Sequence, residues 1–217
     1  FRKGRLDSGS VMVPCPWFAE IAHAATQDAT LDLGIHLTLT SEWPDYRWGP
    51  ISTRDPASGL MGADGCFPPN VATLREHAAP AAAAAEMRAQ IDRALAAGIA
   101  ATHLDTHMGA ALAPEFLAAT LALAREYRLP LLLPRDIDSY LGVLRLGAVD
   151  RARYAEAFAE LQAAGMPMFD RFTMTPGVTP SVESYRAIVA PPGEGLTFVS
   201  LHPNLAGDIE AIAARHP

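Results

Sequence analysis

Apolar and polar positions change their spacing again and again along the chain, and each change predicts an element. Ser8-Gly9-Ser10-Val11-Met12-Val13 is a short strand candidate with β-branched residues. Pro14 and Pro16 follow, then Trp17 to Ala25 with helical spacing; proline is tolerated near a first helical turn because its missing N–H would be unpaired there anyway. Leu31, Leu33, Ile35 and Leu37 alternate with Asp32, Gly34, His36 and Thr38. That period of two predicts a strand over Leu31–Leu39 with His36 on the face opposite the leucines. Ala81 to Ala97 is an alanine-dominated helix carrying Glu86, Met87, Arg88, Gln90 and Ile91, stopped by Gly98. Glu86 and Arg88 are expected on its exposed face. A strand over Ala100–Asp105 comes next, then a helix over Pro114–Tyr127 whose Glu115 at the start and Arg125 and Arg128 at the end suit the helix dipole.

Leu129–Leu133 is an unbroken apolar run, the pattern of a strand buried on both faces. Asp150 is the expected N-cap of a helix reaching Ala164, which Gly165 ends. Met166–Asp170 reads as a weak strand. Thr179 or Ser181 is the expected cap of a helix running to Ala190. Leu196–Leu201 is a strong strand ahead of His202-Pro203-Asn204, and Gly207-Asp208 opens a last helical turn. Phe1-Arg2-Lys3-Gly4 looks like the end of a helix.

Strand and helix thus alternate about six times, which predicts an α/β fold with a parallel sheet, either doubly wound or closed into a barrel. No GxGxxG or Walker-type glycine loop follows a strand, which disfavours a nucleotide-binding fold. A barrel is favoured because His36, Asp105, His107, Asp170 and His202 all fall at the C-terminal ends of predicted strands, where barrel enzymes assemble their sites.

One stretch breaks the alternation. Residues 41–70 hold Pro44, Pro50, Pro56, Pro68 and Pro69 together with Trp43, Tyr46, Trp48 and Phe67. A connection of this length exceeds the usual 4–6 residues, and long aromatic loops on compact domains are often binding loops. Trp43, Arg47 and Trp48 are therefore candidates for contact with a substrate. The other reading is an excursion that packs its own aromatics.

Composition narrows the field. A chain of 217 residues that is 50% apolar and 19% charged fits one well-buried domain rather than a disordered segment. The net charge is −7 with no Lys/Arg cluster, which excludes nucleic acid as the expected partner. No apolar run is long enough to span a bilayer. Cys15 and Cys66 fit no zinc-finger spacing; a single disulfide is one reading, and two lone thiols in a cytosolic protein the favoured one. No signal peptide is visible, which points to the cytoplasm, although the chain does not begin with Met.

The candidate chemistry centres on Thr102-His103-Leu104-Asp105-Thr106-His107-Met108-Gly109. On an extended backbone His103, Asp105 and His107 share a face. Imidazole and carboxylate suit Zn, Fe or Mn, with Mg tolerated where carboxylate and water dominate. Against this stands a structural reading, in which one His caps the next helix and the Asp binds backbone amides. His103 lies deeper in the strand and is expected to be structural.

These residues resemble the YdjC-like family, the chitooligosaccharide and hopanoid-associated sugar deacetylases. The matching segments are Gly34-Ile35-His36-Leu37-Thr38-Leu39-Thr40, Asp64-Gly65-Cys66-Phe67, Glu86-Met87-Arg88-Ala89-Gln90-Ile91, Thr102 to His107, and Ser200-Leu201-His202-Pro203. Their order agrees across nearly the whole chain. The resemblance implies a distorted, TIM-like (β/α) barrel that removes an acetyl group from an N-acetylated sugar. It implies a divalent metal, Mg or Zn, held by His36 and His107. Asp105 would sit beside the metal, and His202 would be the general acid. Amide hydrolysis needs a polarised carbonyl, a nucleophilic water and a proton for the leaving amine, and a divalent ion serves the first two. Related barrels form dimers, so a homodimer is the family-level expectation.

Two departures stand out. The family's first strand ends in Asp-Asp-x-Gly, which supplies an acidic ligand and a catalytic Asp, and members continue past the His-Pro strand. Residues 1–217 are accordingly expected to be a single barrel domain truncated at both ends, short of an acidic ligand and a base. Met108 and Gly109 also replace histidines that members carry after the position of His107. The alternatives are another barrel metal hydrolase, an amidohydrolase or phosphoesterase, and a non-catalytic sugar-binding relative.

Overall fold

The start of the first strand candidate forms β1 (Ser8–Val11), and a parallel sheet grows from it in the order β1–β2–β3. β2 (Asp32–Leu37) pairs β1 with Ser10 opposite Gly34, and pairs β3 (Ala101–Thr106) with His36 opposite Asp105. The computed structural model describes residues 6–141, 144, 146–175, 181–189, 193–203, 207 and 212. α1 (Phe18–Gln27) connects β1 to β2, while α2 (Val71–His77) and α3 (Pro80–Ala96) lie between β2 and β3. The alternation in β2 does what its period requires: Leu33, Ile35, Leu37 and Leu39 are all buried, and His36 lies on the other face.

The predicted helix boundaries shift where the backbone bends. After β3 the chain enters a 3-10 turn over His107–Leu112, in which Met108 and Gly109 take left-handed conformations (φ 53° and 72°). The following helix, α4, therefore spans Leu117–Tyr127 rather than starting at Pro114, and Glu115 pairs with Arg75 of α2 instead of facing a helix dipole. Glu86 corrects the reading of α3. It is fully buried, not on an exposed face, and accepts hydrogen bonds from the backbone N–H groups of Ile51 and Ser52 and from Gln90 Nε2. Arg88 is exposed as expected and pairs with Glu126.

Leu129–Leu133 is buried as the run predicts, yet it makes only an isolated parallel bridge, Leu131 to Leu104. Phe169 similarly bridges Pro134. The strand expected over Met166–Asp170 lies further on, as β4 (Arg171–Met174), paired in parallel with β5 (Thr197–Ser200). Asp170 thus precedes a strand rather than ending one. Its carboxylate accepts from Leu196 N and Arg135 Nε, which clips the start of β4 to the start of β5. α5 (Asp138–Leu141), α6 (Arg151–Ala163) and α7 (Val182–Val189) are the remaining described α-helices. Asp150 caps α6 as predicted, accepting from Ala152 and Arg153. Ser181 accepts from Ser184 N at the head of α7. The expectations placed on Phe1-Gly4, Thr179, Ala190, Asn204 and Asp208 lie outside the described residues.

The fold is α/β with parallel pairing in both sheets. Its described strands make one three-stranded and one two-stranded sheet, and closure into a barrel is not seen among them. Tyr140, Phe169, Phe172 and Phe198 cluster beneath β4 and β5 with ring centroids 4.9–6.3 Å apart. Cys15 and Cys66 are free thiols. Among the described residues no helix is long and apolar enough to cross a membrane.

Candidate functional site

The register of three strands assembles a polar cluster on the sheet face opposite the leucines. In parallel strands, paired residues present their side chains on the same side, so the pairing of His36 with Asp105 brings the two together. His36 Nδ1 lies 2.7 Å from Asp105 Oδ1. The other carboxylate oxygen accepts from Ser10 Oγ at 2.9 Å. A serine hydroxyl has one proton; as it goes to Asp105, the 3.2 Å contact of Ser10 Oγ with His103 Nε2 makes the imidazole the donor. Gly34 makes room for this chain. A Cβ there would come within 2.2 Å of His103 Nε2, so the missing side chain is the space the ring fills.

His107 follows β3 directly, and its ring lies edge-on to His36 at a centroid distance of 5.3 Å. Its Nε2 is 2.8 Å from Glu42 Oε2, and both side chains are mostly buried. On the other side the Trp48 ring stands 5.9 Å away, also edge-on. Two imidazoles therefore sit side by side, each tied to its own carboxylate. Among the described residues no group of three His, Cys, Asp or Glu side chains is placed to hold a metal ion.

The electrostatics follow from this crowding. Burial works against a charged His36, but the Asp105 carboxylate and its hydrogen bond outweigh it, and the pKa rises above the ordinary value. Asp105 is held below the usual carboxylate range: burial opposes its charge, and His36, Ser10 and His103 together prevail. His107 goes the other way. Burial lowers its pKa and the charge of His36 adds to this, with Glu42 opposing. Burial and the field of Glu42 push the Cys15 thiol up to about 12, leaving it protonated and unreactive.

His202 stands just past β5, its backbone N–H donating to Thr175 Oγ1 at 3.1 Å. Desolvation lowers its pKa, and the charges of His36 and His107 lower it further, so it lies within the field of the pair. The loop candidates have different fates. Trp48 is buried, with Nε1 donating to Thr40 O. The Arg47 guanidinium is taken up by the carbonyls of Ser41 and Phe67 and by Asp64. Trp43 is half-buried against the core. The structure thus brings His36, Asp105 and His107 together, adds Trp48 at their edge, and uses Arg47 to brace the loop. Sequence reasoning missed Ser10 and Glu42. The one available signal for Glu42 was that it is the first acid after the strand bearing His36.

The sequence model of the YdjC-like protein family matches residues 1–216. A carbohydrate deacetylase of Thermus thermophilus is 36% identical over 171 residues, covering 76% of this chain and 60% of that protein. One from Brevibacillus brevis is 35% identical over 133 residues, covering 61% of this chain and 50% of that protein. The match therefore spans about 50–60% of the length of these curated relatives. A crystal structure from Enterococcus faecalis V583, of a protein put forward for cellobiose-phosphate cleavage, superposes with a TM-score of 0.71 at 24% identity, covering 97% of this chain and 75% of that one. At that identity the likeness concerns the fold.

Proposed function

The chain belongs to the YdjC-like family, and from that premise we propose that it takes part in carbohydrate N-deacetylation, hydrolysing an N-acetylated sugar to acetate and the free amino sugar. One observation carries the reading: His36 and His107, far apart in sequence, lie 5.3 Å apart, each fixed by a carboxylate, where two parallel strands end. The distorted barrel that the family resemblance implies belongs to this proposal, with the two bridges at Leu131 and Phe169 as the arc joining its two sheets.

Asp105 accepts the proton of His36 Nδ1 and leaves Nε2 as the lone-pair nitrogen. Couples of this kind orient histidines that ligate metals. His36 and His107 would hold a divalent ion, Mg or Zn, which when bound supplies Lewis acidity toward the acetyl carbonyl. No Asp-Asp pair occurs in the 217 residues, so a third donor of the family type has no counterpart here. His202, whose pKa is lowered by burial and so is a free base near pH 7, would take the proton released by the attacking water and pass it to the departing amine. Of the three loop residues expected to contact substrate, Trp43 would stack on the sugar ring, with Arg47 and Trp48 as the frame that sets it. A homodimer in the cytoplasm completes the proposal.

The test is acetate release from N-acetylglucosamine and its oligomers, with chelator and with Zn²⁺ or Mg²⁺ added back. Acetate formed in equal amount to free amine, lost with chelator and lost in His107→Ala, is the expected result. Sugar binding without acetate under any ion condition would replace this reading with a non-catalytic sugar-binding one.

A further inference from the structure

The stretch after β2 is pinned before it reaches Glu42. Ser41 N donates to Pro68 O at 2.9 Å, Ser41 Oγ accepts from Trp48 N at 3.1 Å, and Ser41 O accepts from Arg47. This sets the Glu42 carboxylate 2.8 Å from His107 Nε2. Beyond His107 the backbone leaves the strand at once, with Met108 and Gly109 in left-handed conformations. His107 is held instead from the side, by Glu42 on one nitrogen and by ring contacts with His36 and Trp48.

The two imidazoles are held by opposite ring nitrogens. His36 meets its carboxylate through Nδ1 and His107 through Nε2. An ionised carboxylate only accepts, so the nitrogen that faces it carries the proton. We propose that Glu42 is a positioning residue of this site: it holds His107 as the Nε2–H tautomer, so that His107 offers Nδ1 where His36 offers Nε2. The aromatic loop would then act on the chemistry through a carboxylate, in addition to any sugar contact it makes. What the offered Nδ1 meets rests on the proposed function; the tautomer and its dependence on Glu42 do not.

Histidine side-chain ¹⁵N spectra of the full chain test this, with melting temperature as the folding control. Wild type should show His107 protonated at Nε2. Glu42→Ala should shift it toward a mixture of tautomers, and Glu42→Gln, which keeps an acceptor oxygen, should retain the wild-type tautomer at least in part. Titration with zinc chloride alone should give affinity reduced about 10–100-fold in Glu42→Ala, as for loss of other groups that orient metal-binding histidines, and less in Glu42→Gln. Should Glu42→Ala fail to fold, Glu42→Gln and the wild-type spectrum still decide. An Nδ1–H tautomer in wild type, or a folded Glu42→Ala with unchanged tautomer and zinc affinity, overturns the proposal. Missing acetate release with the Nε2–H tautomer intact would count against deacetylation and leave this assignment standing.

Discussion

Asp105 joins groups from three strands: it binds His36 with one oxygen and Ser10 with the other, and His103 reaches it through Ser10. Asp105→Asn keeps the shape and removes the charge. We expect zinc affinity to fall about 10–100-fold with little change in melting temperature, measured by calorimetric titration. Gly34→Ala tests the packing beneath. Its Cβ would collide with the whole edge of the His103 ring, so a loss of about 1–3 kcal/mol is expected in urea unfolding. His36 and Asp105 were legible in the sequence because strand periodicity fixes which face a residue takes. Glu42 was not, because a loop has no period, and the carboxylate meets His107 only through contacts spanning 65 residues. Glu86 was misplaced for a related reason. In a helix of alanines the apolar and polar faces hardly differ, so nothing local marks the side on which a lone acid is buried.

At the scale of elements, α3 holds the long loop through two polar side chains one turn apart. Glu86 takes the N–H groups of Ile51 and Ser52, and Gln90 clasps both the N–H and the C=O of Thr38. Glu86→Ala removes the acceptor of these part-buried donors, and a loss of about 1–3 kcal/mol is expected from the denaturation midpoint. α2 is tied to the segment ahead of α4 by Arg75 and Glu115, 2.8 Å apart. The hydrogen bond from Arg75 holds the Glu115 pKa below its ordinary 4.5. A depressed carboxylate pKa contributes stability above the unfolded-state value, which is lost as pH falls through the folded one. Because the pair is partly exposed, wild type should lose only about 0.5 kcal/mol more than Glu115→Gln on acidification below 4.5. Strand boundaries were the least legible feature. An apolar run such as Leu129–Leu133 predicts burial correctly, but continuous pairing depends on a neighbour whose position lies elsewhere in the chain.

For the whole molecule, alternation of strand and helix foretold parallel pairing, and the described strand pairs all obey it. Closure into a barrel depends on how many strands meet edge to edge, which alternation does not encode. The proposed activity depends on His36 and His107 working as one unit. The most direct measurement is a double-mutant cycle in kcat/KM for acetate release, using His36→Ala, His107→Ala and the double variant. Groups that act as a unit lose nearly everything with the first removal, so the double variant should be no more than a few-fold worse than the poorer single one. Single losses that multiply in the double variant, or single variants that keep wild-type activity, would contradict it.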